Sequence, residues 1–294
     1  MRSELDSLAA MIRERRAILF AGAGLSMSVG LPSWRQLIEH LGAELDLDPE
    51  IFLGPDTSYQ TLAEYYRLQK GSIGPLRSWM DRNWSVSEDK VRESRVHELI
   101  VALDFPIIYT TNYDANLETA YRLYGREYVK VANARDIAKA HGAATQIVKF
   151  HGDFDDDQSL VIAETDYLER LSFTSPLDIK LWADALGRTI LFIGYSMSDL
   201  NIRLLLHRLA QMWRASGYEK DRPWPVVFMP SRNEVQEAVL GQWGVRLVAG
   251  DGEDPERSLI TFLEELLRRV NEEESPRRRP EKESARTAKR SAAK

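Results

Sequence analysis

The sequence has no cysteine. Disulfides, thiol nucleophiles and cysteine-ligated zinc are therefore outside its chemistry. It has no apolar run long enough to span a bilayer. Its early glycine-rich turn is spaced neither as G-x-G-x-x-G nor as a Walker loop. No internal repeat is visible. The opening residues Met1-Arg2-Ser3-Glu4-Leu5-Asp6 are acidic-polar with a helical pattern, so a signal peptide is not expected and a cytoplasmic location is.

What is present describes an ordinary globular protein. The chain has 294 residues, 44% hydrophobic and 29% charged, enough for one large α/β domain or two small ones. Net charge is −6, but residues 275–294 carry eight Lys/Arg against two Glu, which leaves −12 on the rest. An acidic body argues against a broad nucleic-acid surface. The segment 271–294 is charged, contains Pro276 and Pro280, and has almost no large apolar residues. It reads as a disordered solubilising tail, at most a weak electrostatic tether to nucleic acid or to an acidic partner.

The organising stretch is Ala17-Ile18-Leu19-Phe20-Ala21-Gly22-Ala23-Gly24-Leu25-Ser26. Its apolar start predicts a strand buried on both faces. A helix is expected next, with Ser33 as N-cap and Leu37, Ile38 and Leu41 on its apolar face. Strand, glycine turn and helix together present backbone N–H groups to a phosphate, or simply make a tight βα connection. Before it, Ser3 and Asp6 form a capping box for a first helix bearing Leu5, Leu8, Ala9 and Ile12.

Residues 48–103 show helical spacing without strands and read as an inserted helical lobe. Its aromatic residues read as core. Further strands are predicted at 106–109, 128–131, 146–150, 189–193, 226–229 and 245–248, with a second, partly helical insertion at 155–186. The alternation predicts an α/β fold: a Rossmann-like, doubly wound, mostly parallel sheet with the helical lobe inserted, over residues 1–270. Gly22/Gly24, Asn112, His151 and Gly194/Ser196 each fall just after a different strand. In a parallel sheet those ends share one edge, where ligands bind.

Those four points carry a family resemblance. Gly22-Ala23-Gly24-Leu25-Ser26 with Gly30-Leu31-Pro32-Ser33-Trp34-Arg35, then Thr110-Thr111-Asn112-Tyr113-Asp114, His151-Gly152 and Gly194-Tyr195-Ser196 resemble, in order, the motifs of sirtuins. The chain departs from deacylating sirtuins in lacking the four zinc-binding cysteines, and in having Thr111 where that family has Gln. Its wording is similar to the bacterial sirtuin-like proteins of anti-phage defence, which hydrolyse NAD.

The resemblance implies NAD as substrate and no zinc. By it, Gly22, Ala23 and Gly24 cradle the pyrophosphate and Ser26 adds a hydroxyl. Arg35 meets a phosphate or ribose, and Trp34 covers the nicotinamide ribose. Thr110 contacts the NAD, and Asn112 hydrogen-bonds the ribose and orders the attacking water. Asp114 accepts from the nicotinamide amide, His151 is the general base, and Gly194 and Ser196 hold the adenosine side. It also implies a homo-oligomer, or a partner such as a HerA-type ATPase or a short Argonaute. Three activities stay open: an NAD hydrolase, a protein deacylase or ADP-ribosyltransferase, and a non-catalytic NAD- or ADP-ribose-binding subunit. Asn112 and Asp114 have a plainer use as helix caps, and His151 as a packed structural histidine. Asp199 reads as a cap, a ribose ligand, or both. Asp155-Asp156-Asp157 reads as a solvated acidic turn rather than a metal site.

Overall fold

A computed structural model describes residues 2–272, apart from 33, 53, 55–57, 141, 143, 157–158 and 253. The cap assigned to Ser33, the end of the acidic turn at Asp157, and the tail from 273 onward lie outside the described residues.

Seven strands form one sheet: β1 (Ala17–Ala21), β2 (Ile107–Thr110), β3 (Tyr128–Val131), β4 (Thr145–Lys149), β5 (Thr189–Ile193), β6 (Val226–Met229) and β7 (Arg246–Ala249). All pairings are parallel, in the order β3-β4-β2-β1-β5-β6-β7. Helix α1 (Arg2–Arg13) precedes β1. Between β1 and β2 come α2 (Ala23–Met27), α3 (Trp34–Glu44), α4 (Pro49–Phe52), α5 (Tyr59–Lys70), α6 (Gly74–Asn83), α7 (Glu88–Glu93) and α8 (Arg95–Leu103). Then α9 (Asn116–Leu123) leads to β3, α10 (Ala134–Lys139) to β4, and α11 (Glu164–Arg170) and α12 (Pro176–Gly187) to β5. Helices α13 (Leu200–Ser216), α14 (Glu234–Gly241) and α15 (Pro255–Asn271) complete the fold. No described helix is long and apolar enough to cross a membrane.

Side chains alternate across the sheet as strand geometry requires. Ala17, Leu19 and Ala21 of β1 face a layer that includes Leu8 of α1, Leu99 of α8, Leu117 of α9 and Leu263 of α15. Ile18 and Phe20 face the other layer, with Leu181 of α12, Leu205 of α13 and Leu240 of α14. Both faces are covered, so β1 and β5 are buried at every position. That is why they read as unbroken apolar runs. Phe20 is the hub of the second layer, with ring centroids 6.2 Å from Tyr109, 5.9 Å from Phe150, 5.1 Å from Phe192 and 5.2 Å from Tyr195.

A third cluster lies over the strand ends. Leu37 and Leu41 of α3, Phe52 of α4, Leu62 and Tyr66 of α5, and Leu76 and Met80 of α6 pack with Tyr113 and Ile162. Residues 48–103 therefore divide. Helices α4–α6 join α3 in this lobe, whereas Val91 of α7 and Val96, Leu99 and Ile100 of α8 lie under the sheet. The last two helices are the crossover into β2 and must cover its face. Residues 155–186 divide likewise: α12 covers the sheet, and α11 ties to the lobe through Arg67–Asp166 at 2.9 Å. Helix α1 starts at Arg2, one residue ahead of Ser3, so Ser3 is not its N-cap.

The strand order sets where a ligand can enter. The chain leaves β1 towards β2 on one side and β5 towards β6 on the other. The crevice of a doubly wound sheet opens at such a reversal, beyond the carboxyl ends. Here it lies between β1 and β5.

Burial also leaves a titratable group inside this fold. His97 of α8 is 1% exposed, and its Nδ1 lies 2.8 Å from Ser94 Oγ. Desolvation lowers its pKa from 6.5 to about 4, with Asp114 opposing that shift. The unfolded chain then binds the extra proton between those values, so His97 contributes stability above about pH 6.5 that is lost as pH falls towards 4. We expect this one group to account for about 3 kcal/mol of that loss. Urea titrations from pH 7 to pH 4.5 should show the decline, and His97→Gln should shallow it.

Candidate active site

Two turns meet at the crevice without side chains between them. Gly22 N–H donates to Ile193 O and Gly24 N–H to Gly194 O, each at 2.9 Å. A Cβ on Gly22 would lie 2.4 Å from Gly194 O, and one on Gly24 would lie 2.7 Å from Gly194 Cα. Gly194 itself has φ +61°, and a Cβ there would meet Leu25 N at 2.8 Å. The glycines are thus required by backbone-to-backbone packing at the β1/β5 switch. This corrects the sequence reading: the N–H groups of Gly22 and Gly24 are spent on the β5 turn and are not free for a pyrophosphate.

Three hollows along this edge adjoin the glycine turn. One of about 300 Å³ is lined by Ala23, Gly24, Thr111, His151, Gly194 and Asp199, among others. A second, of about 390 Å³, shares Gly24, Met27, Gly194, Tyr195 and Ser196 with it and continues to Phe228, Met229 and Leu259. Together they make a crevice from the end of β4 to the end of β6, of the size used for small-molecule ligands. On the other side of Ala23 and Thr111 a small hollow of about 20 Å³ is lined by Ser26, Asn112, Tyr113 and Asp114.

His151 ends β4 on the crevice side. It is 2% exposed, its ring lies 5.7 Å from Phe150, and Tyr167 meets it edge-on at 5.2 Å. Burial holds its pKa well below 6.5, and the nearby charge of Arg170 pushes the same way. The ring is therefore neutral at neutral pH, with Nε2 lacking a hydrogen-bond partner. Asp199, the N-cap of α13, stands 3.8 Å from that nitrogen.

Asn112, Ser26 and Asp114 form a separate linked group. Asn112 Nδ2 donates to Gly22 O at 3.0 Å and to Ser26 Oγ at 2.8 Å, and Ser26 Oγ donates to Asp114 Oδ2 at 2.5 Å. The other carboxylate oxygen, Asp114 Oδ1, accepts from Asn116 N at 3.1 Å, at the start of α9. Asp114 is therefore tied to the first N–H of α9, whose N-cap position is Ala115, and Asn112 does not cap. The structure thus sets His151 and Asn112 on adjoining hollows that meet at Ala23 and Thr111, not on one common wall.

The remaining candidates divide. Gly194 and Ser196 line the crevice, and Ser196 Oγ lies 2.6 Å from Ser198 Oγ. Thr110 is 1% exposed and lines none of the three hollows described above; its Oγ1 accepts from Asn112 N at 3.0 Å, so it positions the loop. Arg35 is corrected too. Its side chain is 73% exposed and pairs with Glu39 at 3.0 Å along α3. It lines none of the three hollows. Trp34 opens α3, but its side chain lies outside what is described.

Residues not selected from the sequence complete the site. Tyr195 OH donates to Asp199 Oδ2 at 2.8 Å, and Tyr59 OH lies 3.2 Å from Tyr167 OH. Arg170 donates to Phe150 O and pairs with buried Asp178. Asp199 and Tyr195 carried a signal, since both belong to the Gly-Tyr-Ser-x-x-Asp run. Tyr59, Tyr167 and Arg170 carried none. Among the described residues no group of three or more His, Asp or Glu is arranged to hold a metal.

Gly194→Ala should test the turn-to-turn contact. Left-handed backbone strain of about 1–2 kcal/mol adds to the clash with Leu25 N. We expect a lower melting temperature and weakened ligand binding, whereas Gly187→Ala, with open space around it, should change neither.

Residues 106–248 match the SIR2-like domain family. A protein of Enterococcus faecium named NAD(+) hydrolase ThsA is 33% identical over 216 residues, 72% of this chain and 43% of that one. Defense-associated sirtuin 2 of Bacillus subtilis is 28% identical over 214 residues, 70% of this chain and 20% of that one. A solved structure of a SIR2 homolog–NAD complex is 14% identical with a TM-score of 0.44, over 90% of this chain and 93% of that one. The chain spans less than half the length of these curated relatives. The likeness to the SIR2-like domain family thus runs from β2 to β7.

Proposed function

We propose that this chain is a cytoplasmic NAD hydrolase of anti-phage defence that breaks the bond between nicotinamide and ribose. One observation carries the reading. A buried, neutral imidazole faces a two-part crevice at the β1/β5 switch, in a chain 33% identical over 216 residues to a named NAD(+) hydrolase.

The chemistry suits that site. Nicotinamide leaves as a neutral base from a cationic ring, so the electron pair of the C1′–N bond returns to the ring nitrogen. The sugar passes through an oxocarbenium-like state, and water adds its oxygen to C1′. The proton released needs an acceptor, which a neutral histidine supplies near physiological pH. In this reading the ribose meets His151, and the adenosine portion extends past Gly194 towards Met229 and Leu259. The departing nicotinamide is assigned to the side of Ala23 and Thr111, where Ser26, Asn112 and Asp114 are linked.

Incubating the purified chain with NAD should yield ADP-ribose and nicotinamide in equal amounts by chromatography. His151→Ala should slow turnover by about 100-fold or more, the range for loss of a general base. Asn112→Ala should slow it as well, because it removes the amide that joins the glycine turn to Ser26. An NAD pool left intact by the wild-type chain would overturn the proposal.

A further inference from the structure

Resting on the hydrolase reading, we infer that Asp199 is a second catalytic group, gripping with His151 the one oxygen that is activated between them. Asp199 is the residue at which the geometry of the crevice converges. Its Oδ1 accepts from Asn201 N at 2.8 Å and caps α13. Its Oδ2 accepts from Tyr195 OH at 2.8 Å and faces His151 Nε2 at 3.8 Å. That separation is too long for a direct hydrogen bond. It is right for a single oxygen lying about 2.8 Å from each. Nε2 is otherwise without a partner although it is buried, a condition that costs free energy unless something occupies the site.

A second observation is independent of that gap. The Asp199 side chain is 10% exposed, and among the described residues its only basic neighbour within ion-pair distance is His151, whose ring is neutral. A nearly buried carboxylate without a cation is suited to a ligand that brings positive charge. The nicotinamide–ribose portion of NAD does so twice, first on the pyridinium ring and then on the oxocarbenium sugar. In the step proposed, the gripped oxygen belongs to water. Its bond to C1′ forms as the C1′–N pair departs with nicotinamide, and its proton passes to His151 Nε2. Asp199 offsets the charge on the sugar and then on the imidazolium.

The capping duty makes the test clean, because Asn caps helices about as well as Asp. Asp199→Asn keeps volume and cap, removes the charge, and turns the position facing Tyr195 OH and His151 Nε2 from acceptor to donor. With NAD as substrate, it should melt like the wild type, bind NAD within about tenfold, and lose about 100-fold in kcat. The charged or titratable groups around His151 are Arg170 and Tyr167 of α11, Tyr59 of α5, and Tyr195 and Asp199 before α13; Arg170 is partly offset by Asp178. With Asp199 neutralised, the imidazolium loses its counter-charge. The acid limb of the kcat–pH profile should therefore move to lower pH, a shift that a purely structural role does not produce. Combining Asp199→Asn with His151→Ala should be little slower than His151→Ala alone, as for groups acting as a unit. Tyr195→Phe, which frees Oδ2 but leaves the charge, should cost about tenfold. If the wild type turns over NAD and Asp199→Asn keeps its rate within about threefold, the pair is refuted while the hydrolase reading stands. If the wild type leaves NAD untouched, the hydrolase reading has failed and the pair falls with it.

Discussion

The site depends on two turns that touch through bare backbone. Gly22 and Gly24 after β1 and Gly194 after β5 approach so closely that a methyl group on any of them would displace main chain. Two hydrogen bonds, both at 2.9 Å, close the gap. This contact lies at the reversal of strand order and sets the floor of the crevice. Phe20, Phe192 and Tyr195 pack beneath it, so the hydrophobic core and the ligand edge are continuous. Interiors packed at this density transmit a shift of one turn to the other.

Around that floor the polar groups sort into two sets with different jobs. Ser26, Asn112 and Asp114 bond chiefly to one another and to the glycine turn, which makes them a brace as well as a wall. His151 and Asp199 are the opposite case. One has a buried nitrogen without a partner, and the other a carboxylate without a cation. Unsatisfied polarity is costly inside a protein, and it collects where a ligand is to be bound or transformed. Behind Asp114 the same economy is visible in Lys149. It is 1% exposed, donates to Asp114 O, and lies 3.5 Å from Glu118.

Much of the architecture was legible because it is written in local pattern. Each predicted strand lies within a residue or so of an observed one, and β1 and β5 are the plainest, since a strand covered on both faces is apolar throughout. The convergence of the glycine turn, Asn112, His151 and Gly194 on one edge followed from parallel topology alone. What failed was the detail of direction. Arg35 sits in a motif, yet its side chain turns outward to Glu39. Thr110 sits at a strand end, yet its hydroxyl points to its own loop. The N–H groups of Gly22 and Gly24 had a backbone partner that no sequence distance reveals.

The amino-acid order by itself determined the strand and helix periods, the absence of thiol chemistry, and the four loops that carry the site. These are properties of neighbouring residues, and short-range sterics and burial decide them. Only the tertiary structure decided that His151 faces Asp199, that Asn112 braces Ser26 on the far side of Ala23, and that residues 88–103 lie under the sheet while 59–83 lie above its edge. Those contacts join residues from 48 to more than 80 positions apart. A carboxylate has no way to show in sequence which imidazole it will meet, because that pairing is set by how the sheet twists and the loops pack.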